Sequence, residues 1–188
     1  GGDDLDRSLL ADWVGASSAL LDPLIEAVRR HVMAGAKLHA DDTPVPVLAP
    51  GNGKTKTGRL RTYVRDDRPA ASTVPPAVWF AYTPDRKGEH PQTHLKKFAG
   101  TLQADAYAGF NAIYQTGRIQ EAACWAHARR KFYDLHVARP STLTAEALRR
   151  IGEFYGIETT IRGKPPDERR RIRQQQAKPL LADFEAWL

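Results

Sequence analysis

Apolar residues in the first part of the chain recur at helical spacing. Leu9, Leu10, Trp13 and Val14 fall at i, i+1, i+4 and i+5, and Leu20, Leu21, Leu24, Ile25 and Val28 continue the stripe. The pattern predicts a helical leader over 6–34. Asp22-Pro23 suits a helix restart, Arg29, Arg30 and His31 suit a C-terminal dipole end, and Gly35 suits a stop. The period then changes to two. Leu38 and Ala40 alternate with Lys37, His39 and Asp41, which predicts a strand that delivers Asp41 and Asp42 at its end. Pro44 and Pro46 each remove a backbone donor, so the chain is expected to leave as an extended exit rather than as a central strand.

The same reading predicts strands over 59–65, 77–82, 101–105 and 119–124. Ala77-Val78-Trp79-Phe80-Ala81-Tyr82 is apolar throughout, which predicts burial on both faces. Short helices are expected over 91–98 and 107–115, a basic helix over 125–137, a long helix over 144–161 and a final helix over 167–188. Leu148, Ile151, Tyr155 and Glu158 share one face of the long helix. A carboxylate on an apolar face needs a partner, and Arg129 or Arg130 is expected to supply it.

The order is three strands, a short helix, a strand, a helix, a strand and then helices, with acids at the ends of the first and fourth strands. This is the layout of an α/β fold of the RNase H-like kind. It has a mixed sheet of about five strands with flanking helices, a helical N-terminal leader and a helical C-terminal insertion. The expected parts are a leader over 1–36, a core over 37–125 and a basic helical region over 126–188.

Charge sharpens this division. Residues 1–115 carry 14 Lys/Arg against 13 Asp/Glu, whereas residues 116–188 carry 14 against 9. An excess confined to the C-terminal part is what a polyanionic partner selects, although an Arg-rich solvated helix surface has the same composition. Cys124 is the single cysteine, so no intrachain disulfide forms and a reducing cytosolic compartment is the natural reading. No apolar run reaches membrane-spanning length and the acidic start lacks a signal-peptide pattern.

Candidate chemistry concentrates at a few places. Asp41 and Asp105, at two strand ends, are the minimum for holding a divalent cation, and are equally ordinary as turn residues. Pro50-Gly51-Asn52-Gly53-Lys54-Thr55-Lys56-Thr57-Gly58 reads as a basic glycine-rich loop that lacks the glycine spacing of a Walker A motif. Its Lys54 and Lys56 are candidate phosphate contacts, or parts of a mobile hairpin. His90 and His94 stand at i, i+4 with no third ligand evident, and Cys124-x-x-His127 is half a zinc site. Arg129, Arg130 and Lys131, and Arg169, Arg170, Arg171 and Arg173, are candidate DNA contacts.

Four blocks then carry a resemblance. They are His39-Ala40-Asp41-Asp42-Thr43-Pro44-Val45-Pro46-Val47-Leu48; Gly53-Lys54-Thr55-Lys56-Thr57-Gly58-Arg59-Leu60; Gln103-Ala104-Asp105-Ala106-Tyr107-Ala108-Gly109-Phe110; and Glu121-Ala122-Ala123-Cys124-Trp125-Ala126-His127-Ala128-Arg129-Arg130-Lys131-Phe132. In this order they resemble the signature blocks of the insertion sequence 66 family of transposases, and the likeness covers nearly the whole chain. It implies a DDE-type enzyme of DNA transposition in which Asp41 and Asp105 are the first two catalytic acids and hold Mg²⁺ or Mn²⁺. Such ions activate a water or a DNA 3′-hydroxyl and stabilise the leaving oxygen of an in-line displacement at phosphorus. It further implies DNA partners (transposon ends and target), a homo-oligomeric synaptic complex, no membrane, and a bacterial cytoplasmic, nucleoid-associated location. His127 is expected near the scissile phosphate.

Two departures bear on that implication. Arg61 stands where the family usually has Trp, a position expected to be structural. The family's third acid lies in an Asn-Asn-x-x-Glu-Arg block that this sequence lacks. The expectation is therefore a central fragment, inactive alone, with Glu158 as the only in-chain substitute. The alternative is a non-catalytic DNA-binding or assembly module derived from such an enzyme. A metal-dependent nuclease acting on RNA is disfavoured by the blocks.

Overall fold

The structure is a computed structural model and describes residues 5–48, 51 and 53–188. The chain forms two compact units. The first takes in the chain up to Asp66, Pro76–Gln103 and Tyr107–Glu121, and the second Asp67–Pro75, Ala104–Ala106 and Ala122–Leu188.

The leader forms two helices, α1 (Arg7–Leu20) and α2 (Asp22–Met33). Asp6 caps α1 by accepting from the Ser8 amide at 2.9 Å, and Pro23 opens α2 within its first turn, where no N–H is needed. The strands are β1 (Lys37–Val47), β2 (Lys56–Arg65), β3 (Ala77–Thr83), β4 (Gly100–Ala104) and β5 (Ile119–Ala123). Two short helices interleave, α3 (Glu89–His94) before β4 and α4 (Asn111–Tyr114) before β5. The sheet order is β3-β2-β1-β4-β5. β2 is antiparallel to both β1 and β3, and β4 is parallel to β1. This mixed five-stranded sheet with flanking helices is an RNase H-like arrangement, as the element order implies.

The alternation in β1 decides what is buried. Leu38 is fully covered, while Asp41, of opposite parity, is exposed. Leu38 joins Val32, Leu95, Phe98, Leu102 and Ile113 among the buried apolar side chains of the first unit. Gly100 starts β4 with φ at 143°, and a Cβ there would stand 2.2 Å from the Ala36 carbonyl oxygen. Only glycine allows β4 to enter beside β1 this closely.

Two expectations about the strands are corrected. β1 does not stop at the prolines, because it pairs with β2 through Val47↔Lys56, with Pro44 opposite Arg59 and Pro46 opposite Thr57. The ladder with β4 ends at His39↔Gln103, so both prolines sit where β1 has one neighbour among the described residues and a missing N–H costs least. β3 is not buried on both faces. It is the edge strand, and Val78, Phe80 and Tyr82 are exposed while Ala77, Trp79 and Ala81 are partly covered. An unbroken apolar run does not distinguish a central strand from an edge strand whose outer face is also apolar.

The second unit is built on α5 (Trp125–Ala138), α6 (Thr142–Thr160), α7 (Pro166–Ile172) and α8 (Lys178–Trp187). Ser141 caps α6 by accepting from the Thr144 amide at 3.1 Å, while Thr144 Oγ1 accepts from the Ser141 amide in return. Ala147, Ile151 and Phe184 form its buried centre, with Phe132, Phe154 and Trp187 packed around them. The expected single final helix is interrupted by a π-helical turn over Arg173–Ala177. Pro179, in the first turn of α8, has no N–H to offer the preceding turn and crowds its carbonyls, and widening relieves this clash.

Candidate functional site

Asp41 lies two residues past His39 on β1, so it shares a face with Lys37 and His39 and is exposed. Asp105 lies two residues past Gln103, directly after β4 ends at Ala104, and is partly buried. The last pair of the parallel ladder is His39↔Gln103. Each acid thus lies two residues past that pair in sequence, Asp41 within β1 and Asp105 just beyond the end of β4. On the same face of β1, burial, together with Lys37, holds the His39 imidazole below its ordinary range.

The neighbouring Asp42 has the opposite environment. Its side chain is only 2 % exposed and takes Arg86 Nε at 2.7 Å, with Arg59 at 3.7 Å from the same oxygen. Arg86 in turn lies over the Tyr107 ring, its guanidinium carbon 4.3 Å from the centroid, and the Tyr107 hydroxyl donates to the Arg86 carbonyl. Arg61, 1 % exposed, approaches the same ring at 5.8 Å and donates to the Lys87 carbonyl. Asp42 Oδ1 and Arg61 Nε are buried without a hydrogen-bond partner among the described residues, the kind of groups an ordered water satisfies. A charged clasp thereby ties the strand of the first acid to the turn that follows the second.

Gly109 belongs to this clasp. A Cβ there would meet the Tyr107 ring at 2.2 Å, so the Tyr-x-Gly spacing lets the tyrosine fold back over its own turn. Arg86 gives no sequence signal, since it sits 44 residues from its carboxylate in an irregular loop. Arg61 is buried in this network, consistent with the structural role expected of it.

The remaining candidates fall into distinct places. Lys54 and Lys56 are exposed at the tip of the β1–β2 hairpin, and Val47, opposite Lys56, is six residues beyond Asp41, about 20 Å along the strand. His90 and His94 do not share a ligand. His90 Nε2 meets Asp85 at 2.8 Å, whereas the Tyr63 hydroxyl stands 3.1 Å from His94 Nδ1. The His94 ring packs edge-on against Tyr63 and Trp79. Burial, with Arg61 nearby, lowers the His94 pKa to about 4.

In the second unit Cys124 precedes α5 as its N-cap residue, and His127 is exposed in the first turn. Arg129, Arg130 and Lys131 are exposed on α5. Arg170 and Arg171 are exposed on α7, while Arg169 is half-buried and donates to the Pro69 carbonyl. The expected partner of Glu158 is corrected: Arg173 takes both carboxylate oxygens, at 2.7 Å each, and neither Arg129 nor Arg130 does. Arg173 comes from the end of α7, fifteen residues past Glu158, which no helical-wheel count on α6 foresees. Among the described residues no group of three or more His, Cys, Asp or Glu is gathered closely enough to hold a metal ion. No helix among them is long and apolar enough to cross a membrane.

An RNase H-like mixed sheet, with Asp41 within β1 and Asp105 directly after β4, defines the fold class of this chain. Within that class the chain belongs to the Transposase IS66 family, whose model matches residues 1–188. It is 42 % identical over 203 residues to the uncharacterized protein y4hP of Sinorhizobium fredii (strain NBRC 101917 / NGR234), covering 100 % of this chain and 36 % of that protein. The uncharacterized proteins y4qI and y4jD of the same strain are 38 % and 31 % identical, over 99 % and 98 % of this chain. The chain spans about a third of the length of these curated relatives.

Proposed function

We propose that this chain is part of the catalytic core of a DNA transposase, with Asp41 and Asp105 as two of its metal-holding acids. The observation that carries this is the parallel β1–β4 ladder. It ends at His39↔Gln103, and each acid follows two residues later. Paired residues of parallel strands present their side chains to the same face, and this reading extends that relation from the last pair to the two acids. Hard carboxylate oxygens fit Mg²⁺ or Mn²⁺. When bound, such ions polarise the scissile phosphate and activate the attacking oxygen.

The chain's own residues supply the frame. Asp42, Arg86, Tyr107 and Arg61 hold the two acid-bearing segments, with Gly109 allowing the turn between Tyr107 and α4. Lys54 and Lys56 at the hairpin tip, and His127, Arg129, Arg130 and Lys131 on α5, are the basic groups that meet transposon-end or target DNA, together with Arg170 and Arg171 of α7. In this reading residues 1–36 are a leader, 37–125 the core and 126–188 the basic region. The whole enzyme works as a homo-oligomer on paired DNA ends in the bacterial cytoplasm.

Two carboxylates do not complete a two-ion centre, and the Glu158 carboxylate is occupied by Arg173. The third acid therefore belongs to another part of the whole protein, and this chain alone does not cut DNA. The test combines Mn²⁺ titration with a strand-cleavage assay on terminal-repeat duplex. The expected result is weak Mn²⁺ binding by this chain that disappears in Asp41→Asn and in Asp105→Asn, and cleavage only by the whole protein. Unchanged Mn²⁺ affinity in both variants removes the reading, and leaves a non-catalytic DNA-binding module in its place.

A further inference from the structure

We infer that the groove between α5 and α6 seats an unpaired DNA nucleotide, its base against Tyr133 and Tyr155 and its phosphate at Arg129 and Arg130. The inference rests on the reading of the chain as part of a DNA-processing enzyme, and adds a site apart from Asp41 and Asp105. The groove has a volume of about 700 Å³ and is lined by these four residues, with Asp134 and Gly152. That is within the range of pockets that hold small molecules the size of a nucleotide.

Tyr133 is 49 % exposed and Tyr155 41 %. Two half-open aromatic rings beside two exposed guanidiniums are the combination that binds single strands. Each base offers a π-face for stacking, and each phosphate a charge for arginine. A duplex contacts arginines equally well, but its bases are stacked on one another and present no face to a tyrosine. Arg129 already lies 5.8 Å from the Tyr133 ring centroid, which sets a cation next to the stacking surface. Asp134 accepts from base amino groups and keeps phosphate away from its own position.

Gly152 lines the groove at a position where, as at Gly156 one turn on, internal packing does not require a glycine. It lies in the middle of α6, where glycine weakens a helix relative to alanine, and a Cβ built on it meets nothing within 4 Å. Nothing inside the chain requires a glycine there. Its bare backbone keeps the floor of the groove open between the two tyrosines. A second cavity of about 340 Å³ shares Tyr155 and includes Trp125, which is 38 % exposed and gives a following base another aromatic surface.

The test uses the whole 188-residue chain in EDTA, with a labelled single-stranded DNA of about 12 nucleotides and the duplex of the same sequence. Fluorescence anisotropy is expected to show Tyr133→Leu and Tyr155→Leu each weakening the single strand about tenfold, with duplex binding essentially unchanged and the Phe variants close to the parent. Gly152→Leu raises helix propensity and fills the floor, so it is expected to raise Tm while weakening the single strand. The proposal is overturned by no binding of the single strand, by unchanged affinity in both Leu variants, by an equal loss on duplex, or by full affinity in Gly152→Leu. Because metal is absent from this assay, its outcome is separate from the Mn²⁺ titration of the Asp41 and Asp105 variants.

Discussion

Arg86 Nε donates to Asp42 Oδ2 at 2.7 Å, across 44 residues of chain. The pair does more than neutralise a buried carboxylate. Asp42 follows Asp41 directly, and Arg86 rests on Tyr107, two residues after Asp105. A single ion pair with one cation–π contact therefore links β1 next to Asp41 to Tyr107. In the Asp-Asp-Thr-Pro wording of the first block, the two aspartates differ in environment: Asp41 is exposed, whereas Asp42 is covered and ion-paired.

Removing the covered charge is expected to be costly. Asp42→Asn leaves Arg61, 1 % exposed, and Arg59 near a neutral group, and should destabilise the chain by about 2 kcal/mol. Arg86 is 44 % exposed on its side chain, so Arg86→Ala should cost only about 1 kcal/mol. Urea denaturation of both single variants and the double variant checks this, and the double should fall short of the sum because the residues share one interaction.

Glu158→Gln is expected to behave as a small structural change. Glu158 and Arg173 leave 47 % and 43 % of their side chains exposed, so solvent screens the pair and the loss is at most about 1 kcal/mol. Arg173 holds the Glu158 carboxylate below its usual range through direct hydrogen bonds, and keeps it ionised at neutral pH without directing it to a metal. In the whole protein, strand cleavage with Mn²⁺ should survive Glu158→Gln. Loss of cleavage in a variant with unchanged Tm would make Glu158 the third acid.

Local periodicity made most elements legible. The leader, the acid-bearing strands and the helices after residue 125 follow from spacing of two or of about 3.6, although the apolar stripe of α1 is exposed rather than covered. What was not legible depends on pairing across long separations. Whether Ala77–Thr83 is central or at an edge is decided by which strand lies beside it, not by its own apolar run. Asp105 was readable as a strand end, whereas Asp41 lies within β1; Arg86 was not readable, since its partner is set by the loop between β3 and α3. Arg173 meets Glu158 from a separate helix fifteen residues on, so spacing within α6 points to the wrong arginines. Tyr133 and Tyr155 lie on different helices, so no one-dimensional pattern joins them.

His94 should make the fold sensitive to acid. Its pKa is lowered to about 4 by burial and the nearby Arg61, while an unfolded imidazole takes up its proton near 6.5. Between those values the unfolded chain binds the extra proton, so stability falls as the pH drops from about 6.5 toward 4. Since His94 is only partly buried, the loss is about 1–2 kcal/mol rather than the full linkage value. Urea midpoints at pH 7 and pH 4.5 should differ less in His94→Leu than in the parent chain. Equal acid sensitivity in the two would assign the effect to other groups.

The arginines of the second unit should not contribute equally to DNA binding, although the sequence presents them as a uniform basic surface. A phosphate contact releases counterions, and each one lost lowers the slope of log affinity against log salt by about 0.9. A guanidinium already committed within the chain must break that contact first. Arg173 is held by both oxygens of Glu158, and Arg169 donates to the Pro69 carbonyl. Arg129, Arg130 and Arg170 are exposed, and Arg171 reaches only Gln175 at 3.3 Å. Single Ala variants at Arg129, Arg130, Arg170 and Arg171 are therefore expected to lower the slope by about one each. Arg169→Ala and Arg173→Ala should leave it unchanged and lower Tm instead. Binding isotherms on duplex at several salt concentrations, with Tm measured for each variant, separate the two groups. A full unit of slope lost in Arg173→Ala would mean that DNA takes this arginine from Glu158, and an unchanged slope in Arg170→Ala and Arg171→Ala would make α7 a solvated face.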